Sequence, residues 1–324
     1  MKKGLVLAGE PLGLLIAQTE GDLSQVKGYD LAVAGAEFNV AVGVARLQHS
    51  VTYIAKLGQD PFGKRIFQGL KANHIGTECI TWSKAQRTGF MLKGRVMQGD
   101  PPIFYYRAGS AASTLSPADI AKVDFSAYSH LHLTGILPAL STTTRAAVDC
   151  MLTKARAAGL YISFDPNLRP ALWPNEAFMR KTLNKLATQV DLFLPGTAEG
   201  KILMGSDVPQ EINAYYRAHG VQAVVTKCGS QGAFVTEGAI SYQVAGYKAT
   251  HVVDTVGAGD GFAAGVLTGL MESLPLREAV RRGTAIGAMQ VMCRGDNEGL
   301  PTPKQLQIFM QSQEESYQEK RFVG

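Results

Sequence analysis

Short apolar runs alternate along the chain with longer runs whose apolar positions recur every three or four residues. GLVLAG, VTYIAKLG, HLHLTG (130–135), LYISFDPN, VDLFLPG and AVVTKCG have the length and β-type composition of buried strands. Between them AEFNVAVGVARLQ, PFGKRIFQGLKANHI, AAVDCMLTKARAAG, EAFMRKTLNKLATQ and INAYYRAHG have helical spacing. This rhythm predicts an α/β fold, a mainly parallel central sheet with helices on both faces. Two segments break it, 10–33 and 84–110. In the second, TGFMLKGRVMQGDPPIFYYRAG alternates in the strand manner around a Gly-Asp-Pro-Pro turn. The pattern predicts a main domain of 1–9, 34–83 and 111–324 and a small β-sheet of 10–33 and 84–110 standing off it. A sheet with one face toward a cleft is a natural lid. The polar C-terminal MQSQEESYQEKRFVG reads as a last helix that frays.

At 324 residues the chain suits one large domain with an appendage. Hydrophobic residues make up 46% and charged residues 18%, a globular composition that supports a sizeable core. The net charge of +5 comes without a dense Lys/Arg run, which argues against a nucleic-acid surface and suits an anionic small substrate. Cys79, Cys150, Cys228 and Cys293 are widely spaced with no CxxC pair, so they read as free thiols of a reducing cytoplasm rather than a zinc or disulfide framework. MKKGLVLAGEPLG opens as a first strand rather than a signal peptide. No run of about 18 apolar residues occurs, so no membrane span is expected.

Candidate chemistry concentrates in VVDTVGAGDGFAAGVLTGL (252–270). Gly257, Ala258 and Gly259 are nearly bare backbone, and Phe262, Ala263, Val266, Leu267 and Leu270 continue with helical spacing. Their N–H groups are thereby placed at a helix N-terminus, where the dipole favours an anion. Asp260, in the first turn, can accept a proton from a hydroxyl that attacks a phosphoryl group held there. Asp254 and Thr255 can orient a metal-bound water or the phosphate. The plainer alternative is a tight strand-to-helix turn with Asp260 aiding the cap.

The string DTVGAGD, with VAGAEFNVAVGVARLQ, KLGQDPFGKRI, FDPNLRP and TKCGSQGA, resembles the signatures of the ribokinase-like carbohydrate kinases, the phosphofructokinase-B type family, over essentially the whole chain. The resemblance implies a three-layer ribokinase-like fold with a β lid, and transfer of the γ-phosphoryl group of ATP to a sugar hydroxyl with Mg2+. It makes Asp260 the base and 257–259 the anion hole, and leaves a monovalent cation open. No Walker-type GxxxxGK[ST] is present. FYYRAGSAAS and DPNLRPALW look like the corresponding segments of 2-keto-3-deoxygluconate kinases within the family. By that likeness Tyr105 and Arg107 from the lid and Arg169 from the main domain contact an acid sugar, since guanidinium matches carboxylate. Gly35 and Asn39 contact its hydroxyls. Phe90, also expected at the sugar, stands in the lid strand where many relatives carry tyrosine, so one hydroxyl contact is missing there, and Gly196 stands where the family has asparagine before Glu199.

By the same resemblance Glu199 positions magnesium through water, and Asp254 is a second metal candidate. The nucleotide is expected along TKCGSQGA, against Lys227, Gly229 and Gly232, and near 286–297, with Gly257 and Gly259 at its phosphates. Lys227 reads equally as a strand-end lysine facing solvent. The overall expectation is phosphorylation of 2-keto-3-deoxygluconate to its 6-phosphate. Its alternatives are a kinase of a neutral sugar such as fructose and a non-catalytic sugar-binding regulator. Lid sheets expose edges that pair readily, so a homo-oligomer through the lid is expected.

Overall fold

The computed structural model describes residues 4–96 and 101–322, with side chains as far as 313. The strands are β1 (Leu5–Ala8), β2 (Leu12–Ala17), β3 (Tyr29–Ala34), β4 (Val51–Gly58), β5 (Ile80–Ser83), β6 (Phe90–Lys93), β7 (Ile103–Tyr106), β8 (His130–Thr134), β9 (Tyr161–Asp165), β10 (Leu192–Phe193), β11 (Ala223–Lys227), β12 (Ala233–Glu237) and β13 (Ile240–Val244). Among the described residues they form a nine-stranded sheet in the order β13-β12-β11-β10-β9-β8-β1-β4-β5 and a second sheet in the order β3-β2-β6-β7. The large sheet is parallel from β5 through β11 and antiparallel at β12 and β13.

Period-two alternation explains the layers. Leu5 and Leu7 enter one core with helices Ala36–Arg46, Ala258–Met271 and Leu276–Gln290. Val6 and Ala8 enter the opposite core with Thr142–Ala157, Glu176–Ala187 and Pro209–Ala218. A strand buried on both faces reads as a continuous apolar run, which is what LVLA is. Each fully buried leucine stabilises the fold by roughly 1.5–3 kcal/mol.

β1 lies between β8 and β4, so the chain reverses its direction of winding there. Open α/β sheets bind ligands at the carboxyl ends of strands at such a switch point. The second sheet rises from that place, because β2 begins shortly after β1 ends. Leu12, Leu14, Ala34 and Met91 bury together on one of its faces. Of the Gly-Asp-Pro-Pro turn between β6 and β7, Gly99 and Asp100 lie outside the described residues.

Small residues set the spacing around helix Ala258–Met271. A Cβ on Gly265 would stand 2.7 Å from Gly283 Cα, one on Gly269 2.7 Å from Ala279 Cβ, and one on Gly43 2.7 Å from Ala264 Cβ. The helix therefore sits close against both neighbours, and the ends of three helices converge below the second sheet.

Candidate active site

Helix Ala258–Met271 begins at Gly257 in the left-handed region (φ 77°), and no side chain caps it. A Cβ at 257 would lie 2.1 Å from the Asp296 carbonyl oxygen, so both conformation and space call for glycine. Two cavities meet at this N-terminus. One, of about 310 Å³, lies under the second sheet and is lined by Gly35, Asn39, Tyr105, Arg107, Arg169, Gly257 and Asp260. The other, of about 540 Å³, is lined mainly by apolar and glycine positions, among them Gly229, Gly232, Phe262, Gly287 and Val291. Thr255 and Gly259 line both.

Asp260 is buried at the junction. Asn39 Nδ2 donates to its Oδ2 at 2.8 Å and Asn167 Nδ2 to its Oδ1 at 3.4 Å. Asn39 is held by Asn297, whose Nδ2 donates to Asn39 Oδ1 at 3.1 Å. Burial pushes the Asp260 carboxyl up to about 7, and Asp165 adds to the rise, while the Asn39 hydrogen bond and the charges of Arg169 and Lys227 pull it down. A carboxyl that titrates there is suited to general-base work near neutral pH.

The face of the second sheet decides which of its residues reach the sugar-sized cavity. Register pairs Met91 with Tyr105 and Lys93 with Ile103, and all four line the cavity. Phe90 pairs with Tyr106 on the opposite face. There it stacks on Tyr106 at 4.8 Å and on Phe62 at 5.0 Å between ring centroids. The expectation of a sugar contact from Phe90 is thus corrected: successive strand residues point to opposite faces, and Met91 and Lys93 have the inward positions.

The two arginines differ. Arg107 Nε donates to Glu10 Oε2 at 2.7 Å, a second contact forms through its Nη2, and Ser110 donates to the other Glu10 oxygen. Its charge is already balanced. Arg169 donates to the Leu168 carbonyl at 2.9 Å and meets no carboxylate at ion-pair distance among the described residues. Arg169 therefore brings the uncompensated positive charge to the cavity.

Lys227 does not face solvent. It lines the larger cavity, its Nζ is 2.5 Å from Asp165 Oδ2 and 3.9 Å from Glu199 Oε2, and it lies 3.8 Å from where a Cβ on Gly259 would stand. Burial alone would lower the ammonium pKa, but the two carboxylates outweigh it and hold the group above the usual lysine value. Glu199 accepts from Gly196 N–H at 2.7 Å and Leu168 N–H at 3.0 Å, which fixes the loop carrying Arg169.

Among the described residues no cluster of three or more His, Cys, Asp or Glu is built to hold a metal. Magnesium keeps most of its waters and takes nucleotide phosphates with one or two carboxylates. Asp165 and Glu199, both beside Lys227, fit that demand. The expectation for Asp254 is corrected. It lines neither of the two cavities that meet at Gly257 but an adjoining one, where its Oδ1 accepts from Val256 N–H at 3.0 Å and its Oδ2 faces Lys93 at 3.6 Å.

The model of the pfkB family carbohydrate kinases matches residues 3–303. This chain belongs to that family. The pfkB chain is 42% identical over 321 residues to the 2-dehydro-3-deoxygluconokinase of Bacillus subtilis (strain 168), covering 99% of each. It superposes on the PfkB protein of Polaromonas sp. JS666 with a TM-score of 0.87 at 41% identity, covering 94% of this chain and 99% of that one. It superposes on the fructokinase of Vibrio cholerae O395, solved with fructose, ADP and calcium, with a TM-score of 0.84 at 25% identity, covering 95% and 99%. The nine-stranded sheet with its smaller companion is the ribokinase-like fold. No helix among the described residues is long and apolar enough to cross a membrane.

Several polar residues of this pfkB site carried no separable signal in the sequence. Glu10 lies in AGEPLG and Asn167 inside FDPNLRP. Asn167 adopts φ 37°, and its Oδ1 is buried without a partner. Glu37 lies beneath the cavity, fully buried, with Thr134 donating to its Oε1 at 2.5 Å and Oε2 unpartnered.

Burial pushes the Glu37 carboxyl up to about 7 against the opposing Thr134 bond, from an ordinary value of 4.5. The folded chain thus keeps a proton that the unfolded chain releases above 4.5. This contribution is fully present below about pH 4.5 and is lost as pH rises through 7. At about 1.4 kcal/mol per unit the loss is on the order of 3 kcal/mol, and Asp260 adds a change of the same sign. Denaturant midpoints should fall from pH 5 to pH 8 in the native chain. In Glu37→Gln, which still accepts from Thr134, the fall should be about half as large, on the order of 3 kcal/mol remaining. Equal slopes for the two proteins would contradict this assignment.

Proposed function

We propose that this chain transfers the γ-phosphoryl group of ATP to the terminal hydroxyl of a sugar acid, 2-keto-3-deoxygluconate, giving the 6-phosphate and ADP. The observation that carries the reading is the meeting of two cavities at the uncapped helix N-terminus, with buried Asp260 at the junction and unpaired Arg169 in the sugar-sized one. The full-length identity to a 2-dehydro-3-deoxygluconokinase supports the same substrate.

In this reading Arg169 holds the sugar carboxylate and Gly35 lies close to its hydroxyls. Tyr105 closes the cavity from the second sheet, which acts as the lid. The terminal oxygen forms its bond to the γ-phosphorus as the bridging oxygen leaves with ADP, and the hydroxyl proton passes to Asp260. The N–H groups of 257–259 and the Lys227 ammonium stabilise charge on the moving phosphoryl group, in a reaction where positioning and electrostatics supply nearly all the catalysis. Magnesium, held near Asp165 and Glu199, would neutralise the phosphate oxygens. Gly229 and Gly232 lie along the nucleotide, whose base takes the apolar cavity. Asn39 holds Asp260 through its 2.8 Å bond while lining the sugar cavity.

The pairing of Arg107 with Glu10 is the observation that favours a neutral sugar. Arg169 outweighs it, because a cavity for fructose has no use for a partly buried cation without a counter-charge. The reading also includes a cytoplasmic enzyme that pairs two copies through the second sheet, whose edge strand β7 exposes Phe104 and Tyr106. Phosphorus NMR of the product of a reaction with ATP, Mg2+ and 2-keto-3-deoxygluconate tests the chemistry. A phosphorus signal coupled to the two C6 protons is expected, and a phosphate at any other carbon would overturn the reading.

A further inference from the structure

Two loops brace the Gly257 turn, and each ends in a carboxylate. Asp254 Oδ1 shapes the turn by accepting from Val256 N–H at 3.0 Å. The Asp296 backbone closes against Gly257 from the other side. Gln290 ties the loops together, donating to the Val256 carbonyl at 3.3 Å and the Gly295 carbonyl at 2.7 Å. Both remaining carboxylate faces converge on one ammonium, Lys93 Nζ, 3.1 Å from Asp296 Oδ1 and 3.6 Å from Asp254 Oδ2. Lys93 belongs to neither loop. It comes from β6 of the second sheet, and its side chain is only 8% exposed.

We propose that Lys93 is a positioning residue, an internal counter-cation that clamps the second sheet onto the two loops shaping the phosphoryl site. The inference rests on the reading of 257–259 as that site. Two carboxylates this close would repel each other and an incoming triphosphate unless a cation stood between them. An external ion could occupy such a seat. Here the chain supplies the charge itself, from the element that covers the sugar cavity, so closing the sheet and ordering the anion hole become one event. Arginine would keep the charge, whereas alanine would leave a pocket for a small cation between two aspartates.

The test uses the full chain with Lys93→Ala and Lys93→Arg, at constant ionic strength held by tetramethylammonium chloride. Potassium, ammonium or methylammonium then replaces part of it. In the native chain kcat/KM should change by less than about twofold on the exchange, because exposed charges are merely screened. Lys93→Ala should lose about 30-fold or more, as expected for a buried charge left without its partner, and should regain a large part with ammonium or methylammonium. Lys93→Arg should keep most of the activity.

The melting temperature is read alongside, because it does not depend on turnover. Ammonium should raise it in Lys93→Ala and leave it unchanged in the native chain. If no sugar is turned over by any form, the kinase reading fails, while the cation-dependent melting still decides the role of Lys93. Should Lys93→Ala not fold, Lys93→Ala/Asp296→Asn, with one carboxylate fewer, takes its place in the same assays. Strong activation of the native chain by potassium would overturn the proposal. So would an alanine variant with native activity, or one whose activity and melting temperature no small cation restores.

Discussion

Asp260→Asn should lower kcat by about 10²–10⁴-fold, the range that a positioned general base supplies, while leaving sugar binding nearly intact. The substitution is close to isosteric. An asparagine oxygen can still accept from Asn39, now at 2.8 Å, so the neighbouring helices need not move. What disappears is the group that takes the hydroxyl proton. The native carboxyl titrates near 7 because it is buried. It must be ionised to act, so kcat/KM of the native enzyme should rise with pH through about 7 and level off above. The variant should lack that limb. It should also be no less stable at pH 8, since the ionised carboxylate is the form that burial penalises. A turnover number within a few fold of native, or an unchanged acid limb, would remove Asp260 from the chemistry.

Arg169→Ala should raise KM for an acid sugar and lower kcat/KM by about 2–5 kcal/mol in free energy, the cost of removing one member of a desolvated charge pair. With a neutral sugar the same variant should change little once the pH is high enough to ionise Asp260 in both proteins, because losing the Arg169 charge also raises the Asp260 carboxyl. The contrast is clean at this position because Arg169 carries no internal carboxylate partner; its recorded bonds go to backbone carbonyls. Arg107 gives a poorer test. Its removal would strand the fully buried Glu10, at a cost to stability of about 3–5 kcal/mol. Arg107 is better probed together with Glu10→Gln, which takes away both charges. Substrate titrations with the acid and with its carboxamide would separate charge recognition from packing. Equal losses on the two ligands would show that Arg169 serves the loop rather than the carboxylate.

The layered sheet and the helix that opens within GAGD were legible in the sequence because both are local patterns. LVLA reads as a doubly buried strand wherever it is placed, and bare backbone before an apolar helix implies exposed N–H groups. The second sheet was legible as alternating residues, but alternation does not say which face meets the cleft. Phe90 and Met91 are neighbours in the chain, and only the position of β6 between β2 and β7 sends Met91 inward. The polar pairings were hidden for a different reason. Glu10 with Arg107, Lys93 with Asp296 and Asn39 with Asp260 join residues far apart in the chain. No spacing rule reaches that far. Lys227 shows the same limit, since a lysine ending a strand becomes a largely buried, carboxylate-paired cation only when Asp165 and Glu199 arrive from β9 and helix Thr197–Met204.

The central claim, that an unpaired arginine beside a phosphoryl site makes this an acid-sugar kinase, is tested most directly by kcat/KM from coupled ADP release. The panel is 2-keto-3-deoxygluconate, its galactonate epimer, fructose, ribose and a nucleoside, with ATP and Mg2+ present. Turnover confined to the keto-deoxy acids is the predicted result. Turnover on a neutral sugar alone would contradict it, leaving Asp260 as the base but removing the role assigned to Arg169.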